Sequence, residues 1–111
     1  MRIICTNMLT TEEKIKAIVA ALEDIKAVNI TTIDTSKLSS LFECMIIASA
    51  NSRRQTKALA DNVVVKLKEL GEEVIGREGE ESGEWILVDL GEVLVHIMQP
   101  AIREYYNLEE L

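Results

Sequence analysis

The sequence contains only two cysteines, one histidine and one proline, and these shortages exclude several classes of protein. Cys5 and Cys44 form no CxxC pair, and with a single histidine they cannot supply the roughly four closely spaced ligands of a structural zinc site. Two lone cysteines are typical of reduced thiols in a cytosolic protein, and one disulfide between them is the alternative. We therefore expect neither a metal ion nor a cofactor.

Long hydrophobic runs are also missing, since no apolar stretch approaches the roughly 20 residues that cross a bilayer. The first residues faintly resemble a secretory signal, but Asn7 interrupts the short apolar run of Ile3, Ile4 and Cys5. The sequence thus predicts a loosely ordered N-terminal tail over residues 1–8 and a single domain over residues 9–111. Without a targeting segment, we expect a cytoplasmic location.

The chain has no excess of basic charge, because 12 Lys and Arg residues face 19 Asp and Glu residues and leave a formal net charge of −7. Binding driven by the phosphates of a nucleic acid requires clustered Lys and Arg. An acidic surface would instead attract a basic partner, and a ribosomal protein would qualify. We expect little direct contact with nucleic acid and no contact with a membrane.

What is present is the composition of an ordinary globular protein, with 48% hydrophobic and 28% charged residues. Capping-box patterns at Thr10 and Ser52 predict the starts of two helices. Gly71 suits the left-handed residue that follows a helix, and Pro100 suits the first turn of a third helix. Short runs rich in β-branched or apolar residues predict strands at 30–34, 44–48, 73–77, 85–89 and 93–98.

This order of elements predicts an α/β or α+β fold, a mixed sheet of about five strands with helices packed against it. The strand–helix–strand unit over residues 44–77 is expected to be parallel with a right-handed crossover. The short links that follow favour antiparallel neighbours.

Three carboxylates near strand ends, Asp34, Glu43 and Asp89, are candidates for an enzymatic site. Such groups can hold Mg²⁺ for nucleotidyl transfer, which usually needs two carboxylates on one site. The transferase pattern has a Gly-Ser turn followed by a paired D-x-D, and neither occurs after the strand at 44–48. A metal-dependent nucleotidyltransferase is therefore the less favoured alternative to a structural or docking role.

His96 is the only histidine, and strand alternation places it on one face with Leu94 and Met98. No Ser-His-Asp or Cys-His pattern surrounds it, so catalysis is the least favoured interpretation. A hydrogen-bonded structural histidine and an interface histidine remain equally good alternatives.

Trp85 is the only tryptophan, and it follows an acidic stretch with two glycines over residues 78–84. A core tryptophan usually lies inside an apolar run, whereas this one begins a strand beside a charged loop. Tryptophan is also enriched among the residues that dominate binding energy at interfaces. An aromatic side chain rimmed by carboxylates favours docking on a basic surface with apolar hollows, and core packing is the alternative.

These residues form a pattern that resembles a known family. The Glu-Gly pair at 78–79 and the run at 85–98 give E-G…W-x-x-x-D-x-G-[DE]-V-x-V-H, and further matches lie at 51–53 and 103–106. The pattern resembles the ribosomal silencing factor family, also called Iojap-like, over roughly residues 9–111.

The resemblance implies properties that composition does not show. Members of this family have a fold related to nucleotidyltransferases but are not known as enzymes. They bind the fourteenth protein of the large ribosomal subunit and block joining of the small subunit, which represses translation when nutrients are scarce. Many form homodimers.

Carried to this chain, the resemblance implies a partner-binding surface centred on Trp85 as the apolar anchor. Glu78 and Asp89 would offer carboxylates to basic side chains, and Gly79 would let backbones approach closely. The full set of expected partner-binding residues is Trp85, Glu78, Gly79, Leu87, Asp89 and His96.

Overall fold

The computed structural model describes residues 10–35, 43–79 and 83–106, so the expected tail at residues 1–8 lies outside the described residues. The predicted order of three helices and five strands is confirmed. The elements are α1 (Thr11–Asp24), β1 (Val28–Asp34), β2 (Cys44–Ser49), α2 (Arg53–Glu69), β3 (Gly76–Glu78), β4 (Trp85–Asp89), β5 (Val93–Met98) and α3 (Pro100–Tyr106).

The strands form one mixed sheet in the order β1-β2-β5-β4-β3. The predicted antiparallel pairing of β3 with β4 and of β4 with β5 is confirmed. β2 and β3 run in the same direction, as the predicted parallel unit requires, but they are not neighbours. The parallel partner of β2 is β5 instead, because β3 lies at the far edge behind β4.

Both predicted helix starts are present. The Thr10 side chain accepts from the N–H of Glu13, whose carboxylate accepts from the N–H of Thr10, which completes the capping box. At α2, Ser52 accepts from the N–H of Gln55, but the Gln55 side chain accepts from Asn51 rather than from Ser52. Each arrangement satisfies N–H groups that the first turn of a helix leaves without partners.

The predicted third strand is too long at its start. Strand β3 begins at Gly76, and residues 73–75 before it are not in a strand. The reason lies at the end of α2, where Gly71 has a φ of +85° and turns the chain away from the helix. Glu72 then donates its N–H back to Leu67, so the chain reaches the sheet only at Ile75.

Helices α1 and α2 cover one face of the sheet and bury the main core against it. Alternate residues of the central strands point into this core, as a strand period of two requires. Its largest fully buried members include Ile18 and Leu22 of α1, Leu59 and Leu67 of α2, and Ile46, Ile86, Val88, Val93 and Ile97 of the sheet.

Side-chain amides fix α1 against α2. Gln55 donates to the carbonyls of Ile25 and Lys26 just after α1, and Asn62 donates to the carbonyl of Ala21. The carbonyls at a helix C-terminus have no partner within the helix, so these bonds satisfy groups that would otherwise need water. None of the described helices combines the length and apolar character needed to span a bilayer.

Lys14 forms a buried ion pair, although the helical pattern of α1 predicts it to be exposed. Helical spacing places Lys14 on the solvent side of α1, yet it is only 5% exposed. Its Nζ lies 3.0 Å from Glu72 Oε1 and also binds the carboxylate of Glu92. Burial alone lowers the pKa of Lys14, but the bonds to Glu92 and Glu72 outweigh it and hold the pKa above its usual value.

The opposite face of the sheet receives α3. Arg103 donates to the side-chain oxygens of Ser49 and Thr31 and to the carbonyl of Asn29, which joins α3 to β1 and β2. Ile47 and Met98 are fully buried on this face. The sheet is therefore buried on both sides at its centre.

We expect Lys14→Met to destabilise the fold by about 3–5 kcal/mol, because it leaves the carboxylate of Glu72 buried without a counter-ion. The free energy of unfolding from urea titration measures this loss. Glu92→Gln is the control and should cost much less, since the Glu92 side chain is 44% exposed. The double change Lys14→Met with Glu72→Met should recover most of the loss. Equal losses for Lys14→Met and Glu92→Gln would contradict the prediction.

Candidate functional site

The residues expected at the site lie on the face of the sheet opposite α1 and α2. On β4, Trp85 and Leu87 alternate with the buried core residues Ile86 and Val88, so their side chains point to this second face. We call this surface the Trp85 face; its members on β4 and β5 are Trp85, Leu87, Asp89, Leu94, His96 and Met98.

Three of the expected residues form a row across neighbouring strands. Glu78 of β3 pairs with Leu87 of β4, which pairs in turn with His96 of β5. Glu78 and Gly79 are exposed, Leu87 is half-buried and His96 is buried. The structure thus brings the expected side chains to one surface, with the acidic residue at the rim and the apolar residue inside it.

Trp85 and His96 contact each other directly. The indole Nε1–H of Trp85 donates to Nδ1 of His96 over 3.0 Å, and the two ring centroids lie 5.7 Å apart. Because Nδ1 accepts this bond, we assign the imidazole proton to Nε2. His96 Nε2 is buried and has no hydrogen-bond partner within the described part of the chain.

Burial keeps His96 neutral. Desolvation lowers the pKa of His96 to about 4, since the charged imidazolium loses its hydration in this position. His96 is only 7% exposed, so a partner that docks on the Trp85 face would contact the half-buried Trp85 more than His96. Of the two alternatives that the sequence left open, the geometry favours a structural histidine that holds the indole in place.

Gly79 is required by the chain's own backbone. Its φ is +89°, and a Cβ atom built on it would lie 2.0 Å from the carbonyl oxygen of Trp85. An L-residue with a side chain rarely adopts this φ, and the clash with backbone cannot be relieved by a rotamer change. This close approach occurs within the protein and sets the position at which Trp85 enters β4, whereas the expected contact of Gly79 with a partner stays a prediction.

Asp89 has a local structural role. Its Oδ1 accepts the N–H of Gly91 over 2.9 Å in the tight turn that joins β4 to β5. Gly91 has a φ of +93°, which suits such a turn. Asp89 is half-buried.

Two further half-buried apolar residues of this face, Leu94 and Met45, were not among the expected site residues. Leu94 lies opposite Asp89 on one side and Met45 on the other, so the apolar surface extends from β4 across β5 to β2. The alternation that groups Leu94 with His96 was the available signal. Met45 could not be found in this way, because the parallel pairing of β2 with β5 is a tertiary feature.

Two of the three carboxylates of the alternative enzymatic site, Asp34 and Glu43, line one hollow, and the third, Asp89, does not join them. Asp34 pairs with Cys44 and so belongs to the α1 side of the sheet, whereas Asp89 lies on the opposite face. Glu43 accepts a hydrogen bond from the Thr11 hydroxyl on the α1 side. Within residues 10–35, 43–79 and 83–106, no group of three or more His, Cys, Asp or Glu side chains could hold a metal ion.

Cys44 is a free, buried thiol of the core. Burial raises the pKa of Cys44 above its usual value, so the reactive thiolate is disfavoured. Cys5 lies outside the described residues.

Comparison with known proteins gives a family match over nearly the whole chain. The family model described as "Ribosomal silencing factor during starvation" matches residues 8–111. The matched range includes every residue of the Trp85 face.

Individual relatives agree with this match. The chain is similar to a ribosomal silencing factor of Chromobacterium violaceum, with 57% identity over 100 residues that cover 90% of this chain and 82% of the relative. A crystal structure of a protein from the same organism superposes with a TM-score of 0.90 at 55% identity, covering 92% of this chain and 85% of that one. A more distant relative is the mouse "Mitochondrial assembly of ribosomal large subunit protein 1", 29% identical over 87% of this chain and 44% of its own length.

We expect the stability of the protein to fall as the pH falls from about 6.5 to about 4. The pKa of His96 is near 6.5 in the unfolded chain and about 4 in the folded protein, so the unfolded chain binds more protons in this window. Stability is fully present above the unfolded pKa, and the loss should reach about 3 kcal/mol near pH 4.

Urea titrations of the wild type and His96→Gln across this pH range test the assignment. Glutamine can still accept from the indole but does not titrate, so the variant should lack this part of the pH dependence. The emission of Trp85 in the folded wild type should also change as the imidazole gains its proton. Parallel stability profiles for the two proteins would contradict the prediction.

We expect Gly79→Ala to destabilise the protein and to alter the emission of Trp85, because the new methyl group must displace the Trp85 carbonyl. The left-handed backbone alone costs about 1–2 kcal/mol, and the clash adds to it. Gly76→Ala is the matched control, since a Cβ at that position meets no atom within 4 Å. Thermal unfolding followed by fluorescence compares them, and equal melting temperatures would refute the proposed role of Gly79.

Proposed function

Because the chain belongs to the ribosomal silencing factor family, we propose that it represses translation by binding the large ribosomal subunit and sterically blocking the small subunit from joining it. Membership gives it a ribosome-associated role in the silencing of translation. The proposed contact is the fourteenth protein of the large subunit, and the proposed occasion is nutrient limitation. Both follow from the resemblance of the Trp85 segment to that of the family.

The observation that carries this proposal is the Trp85 face. It presents a half-buried indole with Leu87 two residues along the same strand and Glu78 opposite Leu87, and it continues along β4 and β5 to the pair Asp89 and Leu94. An apolar centre with a polar rim is the usual anatomy of a protein–protein interface, and tryptophan is a frequent energetic centre of one. The acidic rim and the net charge of −7 suit a basic ribosomal protein rather than RNA.

Each residue has a distinct part in the proposed complex. Trp85 inserts as the apolar anchor, and Leu87 extends the apolar contact. Glu78 and Asp89 pair with basic side chains of the partner. His96 and Gly79 act within the protein by fixing the ring and the backbone of Trp85, so the anchor is ordered before binding and less conformational entropy is lost on association.

The relatives support a target on the large subunit. The mouse relative is named for assembly of the mitochondrial ribosomal large subunit, and the proposed partner of this chain belongs to the same kind of subunit. We propose that the protein acts in the cytoplasm, without a cofactor and without catalysis. Against the alternative of a nucleotidyltransferase, Asp89 lies on the face opposite Asp34 and Glu43, and no group of three possible metal ligands occurs among the described residues.

Self-association is a second candidate for the same surface, and it includes the proposed homodimer. The half-buried apolar residues of the Trp85 face would suit a second copy as well as a ribosomal protein. Dilution of the protein until it is monomeric, followed by the emission of Trp85, distinguishes the two. Unchanged emission would show that Trp85 is outside any dimer contact.

We expect wild-type protein to cosediment with purified large ribosomal subunits and Trp85→Ala to lose at least about 30-fold in affinity, as removal of an interface anchor costs about 2 kcal/mol or more. Tyr105→Ala is the control, since Tyr105 is an aromatic residue on α3 that is 81% exposed and is not a member of the Trp85 face. Circular dichroism establishes that each variant is folded before sedimentation.

Three outcomes of this experiment differ in meaning. Loss for Trp85→Ala but not for Tyr105→Ala supports both the function and the surface. Equal binding by all three proteins supports the ribosomal function but shows that Trp85 is not the anchor of the contact. A wild-type protein that stays in the supernatant at several salt concentrations overturns the proposed function itself.

A further inference from the structure

A second surface lies on the other side of the molecule, where α1 leaves the edge strand β1 uncovered. β1 pairs only with β2 among the described strands, and it forms one edge of the sheet. Two hollows of about 430 Å³ and 480 Å³ follow this edge beneath α1. Both are lined by Ile15 and Thr32, so the two hollows adjoin each other, and we call them together the α1–β1 groove.

After a register shift between Val28 and Thr31, the backbone of β1 is regular from Thr31 to Asp34, and this part can accept another strand. Thr35 donates its N–H to Glu43, and the antiparallel register pairs Ile33 with Met45 and Thr31 with Ile47. In an antiparallel pair, hydrogen-bonded positions alternate, so these odd-numbered residues direct their backbone groups toward β2. Thr32 therefore directs its N–H and C=O away from the sheet, along the groove.

Apolar and charged residues occupy different parts of the groove. Its centre is apolar, with Ile15, Val19 and Ile30 in its walls. One end carries the carboxylates of Asp34 and Glu43, both exposed to solvent. The other end carries Lys16 and Glu23, whose charges offset each other. The lining therefore has an excess of negative charge, concentrated at the end of β1.

We propose that the α1–β1 groove binds an extended segment of a partner protein as an additional strand beside β1, with aliphatic side chains over the apolar centre and a Lys or Arg over Asp34 and Glu43. Strand addition draws its affinity from main-chain hydrogen bonds and its specificity from alternate side chains, and the groove offers both. Successive groove-facing side chains of the segment occupy every second position.

Charge complementarity selects this occupant over a second copy of the chain. A second copy also carries a net charge of −7 and would bring its own acidic edge to the groove. A basic segment has the opposite sign at the position of Asp34 and Glu43.

The groove lies on the face of the sheet opposite Trp85 and, in the strand order, β1 and β4 are the first and fourth strands. The two surfaces can therefore be occupied together.

The test uses a synthetic capped peptide, Thr-Val-Thr-Val-Thr-Lys-Thr, added to ¹⁵N-labelled full-length protein. Its valines and its lysine share one side when it is extended. We expect amide shifts in β1 and α1 with an affinity on the order of 0.1–1 mM, which is typical of short, weakly binding segments. A matched peptide with Glu in place of Lys should bind at least tenfold more weakly.

Two variants of one residue test the strand geometry. Thr32→Pro removes the outward N–H without removing a bond to β2, and it should abolish binding of the lysine peptide. Thr32→Val keeps the N–H and a β-branched side chain, so its affinity should remain within about twofold of the wild type. If Thr32→Pro does not fold, the pair Asp34→Asn and Glu43→Gln replaces it and should abolish the preference for lysine over glutamate.

Five results would overturn the proposal, four with added peptide and one without it. With peptide, these are no change in amide shifts up to the highest soluble peptide concentration, and equal binding of the lysine and glutamate peptides. The others are binding of the lysine peptide to the Thr32→Pro variant, and shifts confined to the Trp85 face. Concentration-dependent shifts of β1 without peptide that Thr32→Pro removes would identify a second copy as the occupant, which also overturns it. None of these measurements involves ribosomes, so their outcome is independent of the proposed function.

Discussion

The parallel pairing of β2 with β5 is the constraint on which the rest of the structure depends. These strands have buried residues on both faces. One face is covered by α1 and α2, and on the other face Ile47 and Met98 are fully buried. Such double burial is the setting in which parallel strands are found. The pairing places β4 beside β5, and it leaves β1 and β3 at the two edges of the sheet. It thereby creates the Trp85 face at one side and the α1–β1 groove at the other.

Two buried polar groups show how the fold resolves conflicts between charge and burial. Lys14 keeps its charge because Glu72 and Glu92 surround it, so the cost of burial is offset by hydrogen-bonded counter-ions. Among the described residues His96 has no such counter-ion; it stays neutral, which preserves Nδ1 as the acceptor for Trp85. The same physical rule therefore produces an ion pair at one site and a neutral hydrogen bond at the other.

The order of the Trp85 face follows from its surroundings rather than from the indole alone. The ring is held by His96 from the neighbouring strand, and the backbone at Trp85 is approached so closely by Gly79 that no side chain fits there. An anchor fixed in this way loses little freedom when a partner binds. The proposed silencing function uses this rigidity, with the acidic rim providing orientation toward a basic protein.

Local patterns in the sequence were enough to predict the element order, most element bounds and the shared face of Leu94, His96 and Met98, because capping boxes, strand alternation and turn residues are local signals. The expected partner-binding residues came from the family resemblance, and the structure brings their side chains to one surface. Tertiary structure alone decided that β5 rather than β3 lies beside β2, that Met45 joins the Trp85 face, and that Lys14 is buried. It also decided that Asp34 and Asp89 lie on opposite faces and that His96 supports Trp85 from within. Each of these depends on contacts between segments far apart in the chain, whose energies no local pattern contains.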